Sequence, residues 1–296
     1  MRWIQYLKCW IIKKRMDKIT TSFWDDYELI DAGGNKKLER WGEIITIRPE
    51  RQAYFKAVHD ENHWRSMAHF EFVSPNNTIN GEWIQLKDAD STWNVKYKDL
   101  TFKIELGKNK HLGLFPEQIE NWKYLEQHVW KGQEVLNLFA YTGAASIVAK
   151  SIGAEVTHVD ASKSVVNWAK SNLALSGLND VRWIIDDAIK YLSRLKKRGS
   201  QFDVIIMDPP AWGIGAKGKK WKLEEQLFEL IELAYGILTN GGRLVLNTYS
   251  PKIEAEEIES AATVFFDVEN VEVKELWSKT KSNKLMYHGL VLRAEK

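Results

Sequence analysis

Apolar residues along the chain fall into two rhythms. Between about Met16 and Lys110 they alternate in short runs, "EIITIRP", "STWNVKY" and "LTFKIEL", separated by Gly, Asn, Asp and Pro. Period-two alternation bounded by turn residues predicts half-buried strands, so this stretch reads as a small β-rich domain. From Val135 onward, near-continuous apolar runs ("VLNLF", "EVTHVD", "VRWIID", "FDVIIMD", "GRLVLNT") alternate with helical patterns, which predicts an α/β fold with a doubly wound, largely parallel sheet. The connecting "HLGLFPEQIENWKYLEQHV" reads as a turn or short strand and then a helix, with Pro116 near its first turn. "NVEVKELW" and "YHGLVLRA" are expected to finish the sheet as antiparallel strands. The organisation expected is a basic extension over 1–15, a β-rich domain over 16–110, and an α/β domain over 111–296 that includes the connecting helix.

A chain of 296 residues, 44% hydrophobic with 14 Trp, can bury a substantial core. It contains no run of 18 uncharged apolar residues, so no membrane span is expected. The basic start "MRWIQYLKCWIIKKR" is interrupted at Lys8 and lacks a small-residue cleavage site, which argues against secretion. That extension reads as disordered or as preceding a true start at Met16. The single Cys9 lies within it, so no disulfide framework or cysteine metal site is expected, and a reducing cytoplasm fits. The formal charge of +2 conceals an asymmetry: the extension and the lysines at 217, 219, 220 and 222 are basic, and the remainder is net acidic. Overall charge therefore does not argue for a nucleic-acid partner, although a local basic loop can.

In a parallel sheet, ligands bind beyond the carboxyl ends of the strands, so the chemistry is sought there. The first such end, "VLNLFAYTGAA", has Phe139 and Tyr141 where a dinucleotide fingerprint places early glycines; only Gly143 remains, and a pyrophosphate is poorly served. The second ends in Asp160, placed to accept from both ribose hydroxyls of an adenosine group. The third ends in Asp186 and Asp187, where a carboxylate can accept from an adenine amino group while the Ala188 N–H serves a ring nitrogen. Three aspartates at successive strand ends, each of which alone is an ordinary turn residue, together describe a nucleoside without a diphosphate. S-adenosylmethionine is such a ligand, and its cationic sulfonium favours a site containing carboxylates.

"LNLFAYTGAAS", "VDASKSVVNWAKSN", "DDAIKYL" and "DPPAWG" together closely resemble the class I S-adenosylmethionine-dependent methyltransferases of the bacterial 23S rRNA base-methylating group. "GLFPEQ" is similar to that family's Gly-Leu-Phe element, and the resemblance runs from about His111 to Arg293. It implies a Rossmann-like domain with a mostly parallel seven-stranded sheet beside the N-terminal β-rich domain. It also implies a cofactor pocket made by Asn137, Phe139, Ala140, Tyr141, Thr142 and Gly143, by Asp160, Ala161 and Ser162, by Asp187 and Ala188, and by Asp208, with Phe115 and Gln118 capping it. The N-terminal half does not resemble the small RNA-binding domain that several family members carry.

At the fourth strand end, Pro209 and Pro210 stiffen the chain so that Asp208 and the Pro209 carbonyl face the transferred methyl and accept from a target amine. Holding reactants in line is most of the catalysis such a transfer needs. Trp212 is a candidate to stack on a flipped-out base, and the Gly-rich loop with Lys217, Lys219, Lys220, Trp221 and Lys222 suits phosphate contact and stacking on RNA. Methylation of cytosine C5 requires a cysteine thiolate, which members of the resembled family that do this carry at the end of the fifth strand; "LNTYSP" has Tyr249 and Ser250 there, on the acceptor side, and the α/β domain has no cysteine, which excludes that covalent route. Direct transfer to a base nitrogen of RNA, ribosomal RNA first, is the expectation. A small-molecule or protein acceptor, or a non-catalytic RNA-binding assembly factor, remains an alternative. His59 and His63 lack the glutamate position and third ligand of a zinc site, so no metal is expected. No motif sets the oligomeric state.

Overall fold

The computed structural model describes residues 16–21, 23–74, 80–214 and 220–296. The extension 1–15 with Cys9, and Lys217 and Lys219 of the basic loop, lie outside these.

The β-rich region comprises β1 (Lys18–Thr21), β2 (Tyr27–Gly33), β3 (Lys36–Trp41), β4 (Ile44–Pro49), helix α1 (Glu61–Met67), β5 (Phe70–Val73), β6 (Glu82–Gln85), β7 (Thr92–Tyr97) and β8 (Leu100–Glu105). β2 to β6 form a five-stranded sheet in sequence order, antiparallel except for the β4–β5 pair. Asp60 caps α1 by accepting from the His63 N–H, and Trp64 buries that helix against Leu38, Ile47 and Ala68. β7 and β8 form a separate hairpin.

The remainder supplies α2 (Ile119–His128), β9 (Glu134–Leu138), α3 (Ala144–Ser151), β10 (Glu155–Asp160), α4 (Lys163–Leu175), β11 (Val181–Ile185), α5 (Ala188–Lys197), β12 (Phe202–Met207), β13 (Trp212–Ile214), β14 (Lys220–Lys222), α6 (Leu223–Ile237), β15 (Leu238–Thr248), α7 (Ala255–Ala262), β16 (Val271–Lys279) and β17 (Leu285–Glu295). The strand order is β1-β16-β17-β15-β12-β9-β10-β11. β11, β10, β9, β12 and β15 run parallel, and β17 pairs antiparallel with both β15 and β16. This is the Rossmann-like arrangement the sequence predicts, with one addition. β1, from the N-terminal stretch, pairs parallel with β16, so the sheet has eight strands where seven are expected. Its order reverses between β9 and β12, and the crevice at such a switch point is where ligands bind.

Both faces of the sheet are covered. α5 shows why: Asp187 accepts from the Lys190 N–H at its start, Arg194, Lys196 and Lys197 fill its last turn, and Ala188, Tyr191, Leu192 and Leu195 form one buried stripe. The β-rich region shares a core with this domain. Trp24, Tyr97 and Phe102 surround Trp122 of α2 at ring separations of 5.7, 5.1 and 6.0 Å, and one buried cluster runs on from them to Leu125, Val135 and Ile147. The edge of the β7–β8 hairpin is capped by side chains of α4 and its C-cap: Ser176 Oγ accepts from the Thr101 N–H at 3.0 Å and Asn172 Oδ1 from the Lys103 N–H at 2.9 Å.

Candidate active site

A cavity of about 620 Å³ opens at the carboxyl ends of β9 to β12 and β15, a size common for small-molecule sites. Phe115, Phe139, Tyr141, Asp160, Ala161, Asp187, Ala188, Asp208, Pro209, Pro210, Trp221 and Tyr249 all line it, as the sequence anticipates. A smaller lobe adjoins it beside the β9–α3 loop, walled by Gly113, Phe115, Gln118, Asn137, Ala140, Thr142, Gly143 and the first residues of α3.

The β9–α3 loop is held in a costly conformation. Phe139 has φ 55° and Tyr141 φ 50°, left-handed values that side chains adopt at an expense of about 1 kcal/mol or more each. The two positions that lack glycine thus keep a glycine-like backbone. Several contacts enforce it: the Ala140 N–H donates to Val159 O, the Tyr141 N–H to Asp160 Oδ2 at 3.0 Å, and the Gly143 N–H to Ala140 O. Thr142 is buried, its hydroxyl donating to Gly113 O and its carbonyl accepting from Asn172. Gly143 (φ 88°) packs where a Cβ would stand 2.9 Å from Ala169 Cβ. Gly143, at the N-cap, brings no side chain to the start of α3, and the first residues of α3 wall the small lobe, an arrangement suited to an anion.

Asp160 accepts the Ser162 N–H on Oδ1 at 2.9 Å as well as Tyr141 on Oδ2. Burial raises its pKa, and these backbone bonds, with that of Ala161, oppose the rise. Asp187 spends Oδ1 on the α5 cap. Asp186 accepts from the Asp187 N–H and pairs with Arg194. Ser162 faces Ser164 rather than the cavity, and the Asn137 amide donates to Ser146 Oγ, which meets His158 Nδ1 at 3.0 Å. Asn137 and Thr142 thus brace the loop.

Asp208 stands at the junction of both lobes. Its Oδ1 is buried without a hydrogen-bond partner among the described residues. Burial, reinforced by Glu117, pushes its carboxyl up to about 8. The Tyr249 hydroxyl accepts from Gln118 Nε2 at 2.7 Å; burial, together with Asp208 and Glu117, keeps it protonated. Gln118 also accepts from Asn121, whose amide reaches Asn247 at 2.9 Å. Gln118 therefore fixes Tyr249 in place. Among the described residues no group of three or more His, Cys, Asp or Glu is arranged to hold a metal.

Two expectations shift. Trp212 is 60% exposed on the β13–β14 hairpin and does not line the cavity. Trp221, which pairs with Gly213 across the same hairpin, does; it lies 5.3 Å from Phe139, with its indole N–H donating to Pro210 O at 2.5 Å. Lys220 is exposed, whereas Lys222 is paired with Glu225 at 2.6 Å. Glu117 of the "GLFPEQ" element also lines the cavity, and the wall that the sequence does not reveal comes from elsewhere: Glu50, Arg51, Gln52 and Lys110 from the β-rich region, His111 beside them, and Tyr287, His288 and Gly289 of β17. No motif marks these residues, because only chain packing brings them to the strand ends.

The family model for S-adenosylmethionine-dependent methyltransferases matches residues 65–275. A crystal structure of an S-adenosylmethionine-dependent methyltransferase from Agrobacterium tumefaciens is 33% identical and superposes with a TM-score of 0.86 over 94% of this chain and 93% of that one. A methyltransferase complexed with SAH shares the fold at 18% identity, with a TM-score of 0.70 over 89% of this chain and 72% of that one. The ribosomal RNA large subunit methyltransferase K/L of Shewanella sediminis is 32% identical over 193 residues, which is 64% of this chain but 27% of that protein. The chain thus spans about a quarter of the length of that relative.

Proposed function

The chain belongs to the S-adenosylmethionine-dependent methyltransferases, and from that premise we propose that it methylates a base nitrogen of RNA, ribosomal RNA being the first candidate. The large-subunit rRNA methyltransferases among its relatives support the RNA class. The observation that carries the chemistry is Asp208: a carboxyl whose unpartnered, buried Oδ1 sits where the two lobes meet.

The residues present fit the cofactor. In this reading Asp160 receives the ribose hydroxyls, Asp187 and the Ala188 N–H meet the adenine edge, and Phe139, Ala161 and Trp221 supply apolar surface. The first N–H groups of α3 and the small lobe hold the amino-acid end, below Phe115. S-adenosylmethionine supplies a methyl group already activated by its sulfonium charge. Asp208 and Glu117 give that charge an anionic neighbourhood, and a nearby cation draws the Asp208 carboxyl back toward ionisation.

A nucleophilic amine must place its N–H groups on acceptors while its lone pair points at the methyl. Asp208 Oδ1 is one such acceptor, and Pro209 and Pro210, with no N–H of their own, offer only carbonyls beside it. The proton shed by the methylated nitrogen has a carboxylate at hand whose affinity for it lies near neutral pH. No cysteine occurs after Cys9, and position 249 offers a protonated phenol, so the route through a covalent C5 adduct lacks its nucleophile.

The test is nucleoside mass spectrometry of ribosomal RNA with and without the gene, then tritium transfer by purified protein onto the undermodified RNA. Loss of one methylated nucleoside, restored by the protein, is expected. An unchanged profile with no transfer to RNA would redirect the assignment to a small-molecule or protein acceptor and leave the family membership standing.

A further inference from the structure

We propose that Arg51 and Lys110, presented to the cavity by the β-rich region, bind a backbone phosphate of the acceptor RNA strand, with exposed Tyr54, three residues after Arg51, as a stacking surface. This rests on the RNA reading above and gives the N-terminal half its part in the reaction.

The charge ledger of this wall points to an anion. Lys37 and Arg48 are buried and satisfied: Lys37 lies 3.1 Å from Glu39 and 3.5 Å from Glu50, and Arg48 lies 2.6 Å from Glu39. These two cations use the two carboxylates. Arg51 and Lys110 line the cavity next to them without an ion-pair partner among the described residues; Lys110 Nζ donates only to the Pro49 carbonyl at 3.1 Å. Burial lowers the Lys110 pKa, Glu50 opposes the fall, and Lys37, Arg48 and Arg51 add to it. An incoming anion would relieve that crowding. His111, held neutral by burial and by Arg48, Lys110 and Lys37 with a pKa of about 3, adds no charge.

The cofactor does not need these cations. Its carboxylate has the α3 N-terminus and the small lobe, and Arg51 lies exposed at the rim. The same segment is built to receive a strand. Ala53 O and Phe55 O accept the Asn35 and Gly34 N–H groups at 2.7 and 2.9 Å, which fixes residues 53–55 on the β2–β3 turn. Tyr54 is 77% exposed and packs edge-on to Phe55, over which Lys284 Nζ sits at 5.7 Å. Exposed aromatics interleaved with cations are how proteins hold single-stranded nucleic acid.

The experiment compares the wild-type chain with Arg51→Gln, Arg51→Gln/Lys110→Gln and Tyr54→Ala. Each is titrated with a short single-stranded RNA of mixed sequence at several salt concentrations, and with SAH by calorimetry. The log–log salt slope should fall by about 0.7 for the single cation variant and about 1.4 for the double. Tyr54→Ala should weaken RNA binding with the slope intact, and all variants should bind SAH as wild type does. Arg51→Gln, at an exposed position, reports even if the double variant misfolds. If wild type binds RNA but the slope is the same in Arg51→Gln, the phosphate site is wrong while the RNA reading survives. A parallel loss of SAH affinity would assign the cations to the cofactor and overturn the proposal. Absence of salt-dependent RNA binding in wild type would sink both.

Discussion

Asp160, Asp187 and Asp208 reach the cavity from the carboxyl ends of parallel strands, whereas Arg51 and Lys110 reach it from connections in the β-rich region. The strand-end carboxylates are fastened by backbone N–H groups, as in Asp160 with Tyr141 and Ser162, or by a helix cap, as in Asp187. The cations stand on a buried ionic cluster of Lys37, Glu39, Arg48 and Glu50. In the proposed reading the carboxylate wall receives the cationic cofactor and the other wall the polyanionic acceptor.

The comparison breaks most sharply at Asp208. Asp208→Ala should lower kcat by about a thousandfold, a loss of about 4 kcal/mol in transition-state stabilisation, while cofactor affinity changes only a few-fold. Single-turnover transfer assays with parallel calorimetry check this; normal turnover would remove Asp208 from the chemistry.

Glu50→Gln probes the foundation of the cationic wall. Lys37, Lys110 and His288 hold Glu50 at about 2 against a burial penalty that opposes them. A carboxyl depressed from 4.5 contributes stability that is fully present above about pH 4.5 and is lost as pH falls toward 2. The substitution should cost about 3 kcal/mol at neutral pH and flatten the acid limb of the stability profile between about pH 4.5 and 2. Urea unfolding across that range measures both.

Asp160→Ala should weaken S-adenosylmethionine and SAH alike by roughly ten- to a hundredfold, because it removes an acceptor for the ligand and the anchor of the left-handed Tyr141. The corresponding change at Arg51 should leave both affinities alone, and that contrast separates the walls.

The smallest effect is one of pH. As pH rises through about 8, Asp208 ionises and the cavity gains a negative charge. The preference for the cationic S-adenosylmethionine over the neutral SAH should then grow by less than about tenfold between pH 6.5 and 9, and Asp208→Asn should abolish the trend. Competitive calorimetry at the two pH values measures it.

Much of the catalytic half is legible in the chain. Strand ends are local features: an apolar run that stops at Asp160, at Asp186 and Asp187, or at Asp208-Pro209-Pro210 announces its own position, and parallel topology carries those ends to one edge. The exchange of Trp212 for Trp221 as the aromatic in the cavity wall was not legible. The two sit on opposite strands of one short hairpin, Trp212 across from Lys222 and Trp221 across from Gly213, and only Trp221 packs against Phe139.

The sequence by itself determined the parallel sheet, the aspartates at successive strand ends and the absence of a cysteine after Cys9, because periodicity, turn residues and composition act over a few residues. It also showed where glycine was missing at 139 and 141. Only the tertiary structure decided that both positions keep left-handed backbone, that β1 joins the edge of the large sheet, and that Glu50, Arg51 and Lys110 complete the cavity. Those outcomes depend on contacts between residues far apart in the chain, such as Trp24 and Trp122 in the shared core, whose energy exists only once the two halves have packed.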